Sequence, residues 1–351
     1  PIWSVGYLIY RIITLQGIHQ SIKAFLNSLF LERVNVNHTF SQTKLRLDKP
    51  IELCKEKVKV RVIIPTYNRY NVLYNLLKDL ENQTYLEFNV TIIDQSENFN
   101  KNFYNNFKLQ IDLVRQENPG LWQARNNAIR SSSEKVVALL DDDSRINEDW
   151  LIKHLNCLEY FSAEISAGVS LSKKGAKIPF NYSFYRESDQ LDTGNVVLHK
   201  RVFKICGLFD EQYEGMRMGD AEFGLRAFQK GVISISNPEA CRVHLKTSKG
   251  GLRDLGSWDA FRQIHILKPR PVPSVLYYAR KNFGNYNALI FLFINLPLSF
   301  SKYSNKTDNL HSLISLLIFI LLFPIIFLQT FISWKISSEI LKRGHLIPYD
   351  Q

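Results

Sequence analysis

Short apolar runs alternate with helical patterns in the middle of the chain. Val60–Ile64, Val90–Ile93 and Val136–Leu140 are rich in β-branched and aliphatic residues, a composition that predicts strands buried on both faces. Arg69–Leu80 and Trp122–Ile129, which lie between these runs, carry apolar residues at helical spacing. Strands that alternate with helices predict an α/β fold in which helices flank a mainly parallel central sheet.

The N-terminal region has a different pattern. From Val5 to Phe30, apolar residues recur near helical spacing, with Arg11, His19 and Lys23 between them. A helix packed on the next domain and an amphipathic helix lying in a membrane interface explain this pattern equally well. We therefore assign residues 1–57 to an N-terminal amphipathic helix and linker.

The C-terminal region is apolar. Ala288–Phe300 is too short to span a bilayer, whereas Leu313–Trp334 carries no charged residue and ends at a Trp-Lys pair. This longer segment predicts a transmembrane or deeply inserted helix rather than a buried core helix, and a re-entrant hairpin of both segments remains an alternative. Residues 58–265 then form the α/β domain, and residues 266–351 form a helical, membrane-associated region.

Charge and cysteine content narrow the function classes. The formal net charge of +11 favours anionic partners, but the chain has no long Lys/Arg block and no aromatic–basic motif of the RNA-binding type. We therefore expect no nucleic-acid partner. The four cysteines lack metal-ligand spacing, so neither structural zinc nor a disulfide framework is predicted.

Polar residues follow each predicted strand of the middle region. Thr66 and Arg69 follow the first strand, Asp94 follows the second, and Asp141–Asp143 follow the third. Ligands of open α/β sheets bind at the carboxyl ends of strands, so these clusters predict a binding site. Three adjacent carboxylates repel one another, and nothing nearby in the sequence neutralises them. We expect a bound divalent cation to relieve this repulsion; a solvated turn is the alternative.

The order of these and further motifs closely resembles a family 2 glycosyltransferase with the GT-A fold. The resemblance covers roughly residues 58–250. The motifs that carry it are Pro65–Arg69, Asp94, Asn118–Gly120, Ala124–Asn126, Asp141–Asp143, Thr193–Val197, Gly207–Glu211, Gly219–Arg226 and His244. Because they occur in the expected order, the resemblance implies the same layout of the site.

The resemblance implies a role for each matching residue. Those that would hold the nucleotide-sugar are Pro65, Thr66, Tyr67, Arg69, Asp94, Arg125, Asp141 and Asp142. Asp141 would face the ribose, and Asp142 has no firm individual role. Asp143 would be the chief ligand of Mn²⁺ or Mg²⁺, and His244 could complete that metal site.

The catalytic base is expected on the helix that begins near Gly219. Related sequences often read Glu-Asp here, whereas this chain reads Gly219-Asp220. Asp220 and Glu222 point about 200° apart on a helix, so only one can face the site. We assign Asp220 as the base and expect Glu222 to pair with Arg226, four residues further on.

The implied function is that of a metal-dependent, inverting glycosyltransferase of the hexosyltransferase type. It would move a sugar from a nucleotide-sugar donor to a hydroxyl of a lipid-linked or polysaccharide acceptor, as in bacterial-type cell-surface glycan synthesis. The catalytic domain would be cytoplasmic and membrane-associated. A nucleotidyltransferase is less favoured because Pro65–Arg69 lacks glycine. A non-catalytic sugar-nucleotide-binding scaffold is less favoured because the acids are present.

Overall fold

The computed structural model describes residues 44–45, 47, 51, 57–172, 175–247, 251–252, 261, 268–300 and 309–348. The chain divides into two compact units. The larger comprises Phe40–Gly256 with Ile340–Gln351, and the smaller comprises Pro1–Thr39 with Ser257–Glu339. The helix expected between Val5 and Phe30 lies outside the described residues.

A single sheet forms the centre of the larger unit. Within the described ranges its strands are β1 (Val60–Thr66), β2 (Phe88–Asp94), β3 (Ile111–Arg115), β4 (Val136–Leu140), β5 (Ser144–Ile146), β6 (Ile165–Leu171), β7 (Arg186–Glu187), β8 (Asn195–His199) and β9 (Ser234–His244). All residues of β1 and β4 are buried, as expected of strands covered on both faces. The three strands predicted from apolar runs are therefore confirmed.

The strand order is β3-β2-β1-β4-β8-β6-β9-β5, with β7 paired to β9 off this path. The strands β1 to β4 pair in parallel, which confirms the predicted arrangement for this part of the sheet. Beyond β4 the sheet is mixed: β8 runs antiparallel to β4 and β6, and β5 runs antiparallel to β9. The strands β6 and β9 are parallel.

Helices flank this sheet. Those of the larger unit are α1 (Tyr70–Glu81), α2 (Leu121–Ser131), α3 (Trp150–Tyr160), α4 (Arg201–Cys206) and α5 (Gly219–Gln229). On α1 the apolar spacing buries Leu73, Leu76, Leu77 and Leu80 in the main hydrophobic core. This four-leucine stripe explains why the segment forms a helix that packs against the sheet.

The parallel strands bring the predicted site residues to one edge. Thr66 at the end of β1 is in register with Asp94 at the end of β2. Ile63 of β1 is in register with Leu139 of β4, so the acids that follow Leu140 reach the same edge. We call this the acidic edge of the sheet.

A C-terminal segment, residues 340–348, packs on the loop that follows α4. The backbone N–H groups of Leu208 and Glu211 donate to the carbonyls of Pro348 and Leu346, both over 3.0 Å. Gln212 Nε2 donates to the Gly344 carbonyl over 2.8 Å. Sequence reasoning assigned these residues to the helical region, whereas they belong to the larger unit.

The smaller unit contains long apolar helices. They are α6 (Pro273–Asn295), α7 (Asn309–Leu321) and α8 (Phe323–Arg343), the last of which continues into the larger unit. Arg280 joins α6 to α8, because it donates to Ser337 Oγ over 2.7 Å and lies 4.1 Å from the ring centroid of Trp334.

The apolar run Leu313–Trp334 is not one continuous helix. No single described helix is both long and apolar enough to cross a bilayer, whereas Ile314–Leu321 and Phe323–Arg343 meet that criterion as a pair bent by 80°. Pro324 lies just after the break, where its ring and missing N–H would disrupt a continuous helix.

Candidate active site

Two buried arginines hold the first carboxylate of the acid run. Arg125 Nη2 donates to Asp141 Oδ1 over 2.7 Å, and Arg242 Nη1 donates to Asp141 Oδ2 over 2.9 Å. Both arginine side chains are almost completely buried. Burial opposes the charge of Arg242, but Asp192 and Asp141 raise its pKa above the usual value, so the guanidinium remains charged.

The second carboxylate faces the turn after β1. Thr66 Oγ1 donates to Asp142 Oδ2 over 2.9 Å, and Arg69 Nη1 donates to Asp142 Oδ1 over 3.0 Å. Burial raises the pKa of Asp142 to about 6, although the positive charge of Arg69 opposes this shift. Arg69 Nη1 also lies 3.3 Å from Asp143 Oδ2, so one guanidinium contacts two acids.

Each of the three acids therefore contacts an arginine. These arginines relieve part of the repulsion that a cation was expected to relieve, although Asp143, after burial, still helps to raise the pKa of Asp142. Arg69 and Arg125 come from neighbouring elements, and Arg242 comes from β9, 101 residues along the chain from Asp141. Such partners are invisible to an inspection of the local sequence.

A carboxylate oxygen of Asp143 lies buried without a hydrogen-bond partner among the described residues. His244 Nε2 lies 3.2 Å from this Oδ1 atom, because His244 is in register with Ser144, the residue after Asp143. One ligand atom from each of Asp141, Asp143 and His244 lies within 4.8 Å of the others. The group therefore brings together Asp143 and His244, which the sequence assigned to a metal, and Asp141, which it assigned to the ribose.

These donors fit a hard divalent cation. A buried carboxylate oxygen without a donor costs free energy, which a cation would offset. Carboxylate oxygens suit Mg²⁺ and Mn²⁺. Because arginines already contact both oxygens of Asp141, Asp143 and His244 are the more available ligands.

Hydrogen bonds join the turn after β1 to the loop after β2. Asn68 has a φ of 55°, in the left-handed region that asparagine tolerates. Its backbone N–H donates to Ser96 Oγ, and its side-chain oxygen accepts from the Glu97 N–H. The Tyr67 hydroxyl donates to Glu97 Oε1 over 2.8 Å. The turn that carries Pro65, Tyr67 and Arg69 is thereby fixed beside the acidic edge.

Asp94 is fully buried at the end of β2. The hydroxyls of Tyr70 and Tyr104 donate to its Oδ2 over 2.6 and 2.8 Å, and the Ser96 N–H donates to its Oδ1. Burial raises the pKa of both tyrosines, and the Asp94 carboxylate raises it further, so both hydroxyls remain protonated donors. Asp94 thus organises this loop, and its contact with a nucleoside stays a prediction.

Thr193 links Arg125 to the expected base. Its hydroxyl accepts from Arg125 Nη1 over 2.7 Å and donates to Asp220 Oδ1 over 2.8 Å. Glu222 is buried and pairs with Arg226 over 2.9 and 3.0 Å. The predicted pair of Glu222 and Arg226 is confirmed, and Asp220 is the acid on the side of the site.

Steric packing explains why the residue before Asp220 is glycine. A Cβ atom at position 219 would overlap with the indole of Trp122. Trp122 is itself buried, and its Nε1 donates to the Tyr213 carbonyl over 3.1 Å. The glutamate that related sequences often carry here would not fit beside this tryptophan.

Sequence reasoning missed Arg242 and Asp192. Arg242 Nη2 pairs with Asp192 Oδ2 over 2.8 Å, and its Nη1 also donates to Ser144 Oγ. Gly194 passes so close that a Cβ there would overlap with Asp141 and Arg242. The one available signal was an arginine within a strand two residues before His244, since arginine is rarely buried without a charged partner.

Comparisons with known proteins agree with this arrangement. Residues 61–207 match the family described as Glycosyl transferase family 2. The glycosyltransferase GlyA of Streptococcus pneumoniae serotype 4 is 26% identical over 168 residues, which cover 46% of this chain and 22% of that protein. The chondroitin synthase of Escherichia coli is 26% identical over 233 residues, which cover 52% of this chain and 34% of that protein.

A solved structure of similar fold is GalNAc-T7 with UDP, GalNAc and Mn²⁺. Its TM-score is 0.51 at 14% sequence identity, and the match covers 66% of this chain and 49% of that chain. This likeness confirms the expected GT-A fold, which the mixed sheet and flanking helices also show. Residues 61–207 of this chain are therefore similar in sequence to glycosyl transferase family 2.

Proposed function

We propose that this protein is a metal-dependent, inverting glycosyltransferase that uses a nucleotide-sugar donor. The observation that carries the proposal is the group of Asp143 and His244 at the acidic edge, with a buried carboxylate oxygen to which none of the described residues donates a hydrogen bond. The match of residues 61–207 to glycosyl transferase family 2 supports sugar transfer as the reaction class. The absence of glycine from the turn after β1 makes a nucleotidyltransferase the weaker alternative.

Asp143 and His244 would hold Mn²⁺ or Mg²⁺. When bound, the cation would act as a Lewis acid that neutralises the charge developing on a diphosphate leaving group. Arg69 and Thr66 hold Asp142 away from this group, and Arg125 and Arg242 fix Asp141. Fixed side chains need little rearrangement when a substrate binds, which favours catalysis by preorganisation.

Asp220 would remove the proton of the attacking acceptor hydroxyl. The hydrogen bond from Thr193 orients its carboxylate, and a bond donated to a carboxylate favours the ionised form that a base requires. Arg125 Nη1 in turn donates to the Thr193 hydroxyl and so fixes its position. A base opposite the leaving group gives inversion at the transferred carbon in a single displacement.

The acceptor would be a hydroxyl of a lipid-linked or polysaccharide glycan, and the domain would act in the cytoplasm at a membrane. The bent apolar pair α7–α8 supports the membrane part of this proposal. The similar solved structure contains UDP, GalNAc and Mn²⁺, so UDP-hexoses with Mn²⁺ are the first donors to test.

Nucleotide binding and donor hydrolysis test this function. A panel of UDP-, GDP- and TDP-sugars is incubated with Mn²⁺ or with EDTA, and release of nucleoside diphosphate is measured. We expect release with at least one donor, loss of release in EDTA, and a nucleotide-dependent rise in melting temperature. The Asp220→Asn variant should keep the rise in melting temperature and lose transfer.

The matched control is Glu148→Gln, which changes an exposed acid outside the site. It should leave binding and release unchanged. Release of nucleoside diphosphate at the background level with every donor would contradict the proposal. If nucleotides still raised the melting temperature in that case, a non-catalytic scaffold that binds nucleotide-sugars would be the explanation. Absence of any thermal shift would contradict nucleotide binding itself.

A further inference from the structure

The sheet edge opposite the acidic edge carries a concentration of positive charge. Lys135 precedes β4, and Val136 is in register with His199 at the end of β8. The acids follow the other end of β4, about 16 Å away at the usual rise per strand residue. This second edge, which we call the basic edge, is therefore remote from the candidate active site.

A cavity of about 570 Å³ opens at the basic edge. The side chains that give it its positive charge are Arg130, Lys135, Lys200, Arg201 and Lys204, and His199, whose pKa burial lowers, also lines it. They come from the end of α2, the start of β4, the end of β8 and the helix α4. Separate elements thus converge on one concave, cationic surface.

Within the part of the chain that the structure describes, most of this charge has no carboxylate partner. Glu134 lines the cavity but pairs with Arg61 over 2.7 Å, and Arg201 pairs with Glu164 over 3.2 Å. Among the described residues, no carboxylate forms an ion pair with the remaining cations, which are Arg130, Lys135, Lys200 and Lys204. Lys200 Nζ donates to the Ser132 carbonyl, a contact that leaves its charge unbalanced.

Exposed apolar side chains adjoin these cations. Ile205, next to Lys204 on α4, is 45% exposed, and Ile233 is 42% exposed. The N–H of Ile233 donates to Glu164, the residue that pairs with Arg201, so Ile233 lies beside the cationic group. A free phosphate would be recognised by the cations alone and would have no use for these isoleucines.

We propose that the basic edge is a docking surface for anionic phospholipids, with a headgroup phosphate bound in the cavity. Unbalanced lysines and arginines attract an anionic leaflet, and neighbouring apolar side chains gain free energy at the boundary of headgroups and acyl chains. The formal net charge of +11 acts in the same direction at long range. This inference deepens the membrane part of the proposed function and does not depend on its catalytic part.

Vesicle co-sedimentation of the full chain tests the proposal. Phosphatidylcholine vesicles are compared with vesicles that contain phosphatidylglycerol, at low and high salt. The test variant is Lys135→Gln with Lys204→Gln, and the matched control is Lys57→Gln with Lys101→Gln, two exposed lysines on other parts of the same unit. Both doubles lower the net charge by the same amount.

We expect stronger binding to the anionic vesicles, and we expect salt to weaken that excess. Each lysine near an anionic surface contributes about fivefold to binding, so the test variant should lose roughly 30-fold of the excess affinity. The control should lose much less. Equal melting temperatures of all variants would show that folding is intact.

Two results would overturn the proposal. One is equal binding to neutral and anionic vesicles, which would mean that apolar insertion alone accounts for association. The other is an equal loss in the test and control variants, which would mean that net charge acts without a built site. A thermal shift with glycerol phosphate that requires Lys135 and Lys204, without a vesicle effect, would assign the cavity to a soluble phosphate instead.

Discussion

The charged residues at the two edges of the central sheet differ in whether they have ion-pair partners. At the acidic edge, Asp141, Asp142 and Asp143 each contact an arginine that the fold supplies. At the basic edge, cations such as Lys135 and Lys204 have no carboxylate partner among the described residues. The same strand, β4, ends at one edge and begins at the other, so the contrast arises over five residues.

Charged residues with and without ion-pair partners have different physical effects. Buried ion pairs hold side chains in one geometry, at a cost in desolvation that only good partners offset. Such a site is arranged before its ligand arrives. Exposed, unbalanced cations fix no geometry, but they attract an anion from outside. The acidic edge therefore resembles a preorganised reaction site, and the basic edge resembles a surface for association.

The largest effect should come from breaking the buried charge network. The Arg242→Met variant would leave Asp141 and Asp192 without their shared partner, so we expect the free energy of unfolding to fall by about 3–5 kcal/mol. The control is Arg201→Met, which breaks a pair with Glu164 in which the arginine side chain is 62% exposed, and it should cost about 1 kcal/mol or less. Urea denaturation compares the two, and equal costs would show that burial does not distinguish them.

The next effect concerns the reaction itself. Asp143→Asn should lower metal-dependent release of nucleoside diphosphate by about 100- to 1,000-fold, because the chief carboxylate ligand loses its charge. Asp142→Asn should cost less than about tenfold, because Asp142 contacts Thr66 and Arg69 rather than the metal group. The reverse order in this assay would mean that the roles of the two acids are exchanged.

His154 is buried and uncharged, so it can be compared with the charged residues at the two edges of the sheet. Burial lowers the pKa of His154 to about 4, whereas hydrogen bonds to Asn195 and Ser166 oppose the shift. The unfolded chain takes up this proton below about pH 6.5, and the folded chain does not until about pH 4. His154 therefore favours folding above pH 6.5, and its contribution is lost as the pH falls.

The loss between pH 6.5 and pH 4 should amount to roughly 3 kcal/mol at this one residue. His154→Gln should flatten the fall in stability over this range, whatever it does to stability at pH 7. Denaturation curves at several pH values provide the measurement. An unchanged slope in the variant would show that His154 takes up its proton at the same pH in the folded and unfolded chains.

The smallest effect is expected at the basic edge. Lys135→Gln with Lys204→Gln should change the free energy of unfolding by less than about 0.5 kcal/mol, because neither lysine has an ion-pair partner to lose. The same denaturation experiment measures it. A loss well above 1 kcal/mol would reveal partners for these lysines and would remove the contrast between the edges.

Sequence patterns predicted the features that depend on local composition. The buried runs Val60–Ile64 and Val136–Leu140 became strands, and the polar residues after them met at one edge because parallel strands share a direction. The spacing of Glu222 and Arg226 on one helix also predicted their ion pair. In each case the determining contacts lie within a few residues or follow from strand direction.

Features that depend on distant partners were not predictable in this way. Arg242 contacts Asp141 from a strand about 100 residues further along the chain, and no local sequence pattern predicts that contact. The glycine at position 219 looked like a departure from the family pattern until the position of Trp122 explained it. The antiparallel course of β8 likewise depends on how the chain returns to the sheet.

The packing of residues 340–348 on Leu208 and Glu211 has a consequence for the order of events during synthesis. Domains generally fold as units as the chain emerges from the ribosome. Here the larger unit is discontinuous, since residues 257–339 of the smaller unit are made before its last segment. The loop at Leu208–Gln212 therefore lacks its contact with residues 340–348 until the apolar helices α6, α7 and most of α8 have been translated. The larger unit can therefore be completed only after the helices of the smaller unit have been made, although its sheet is encoded before them.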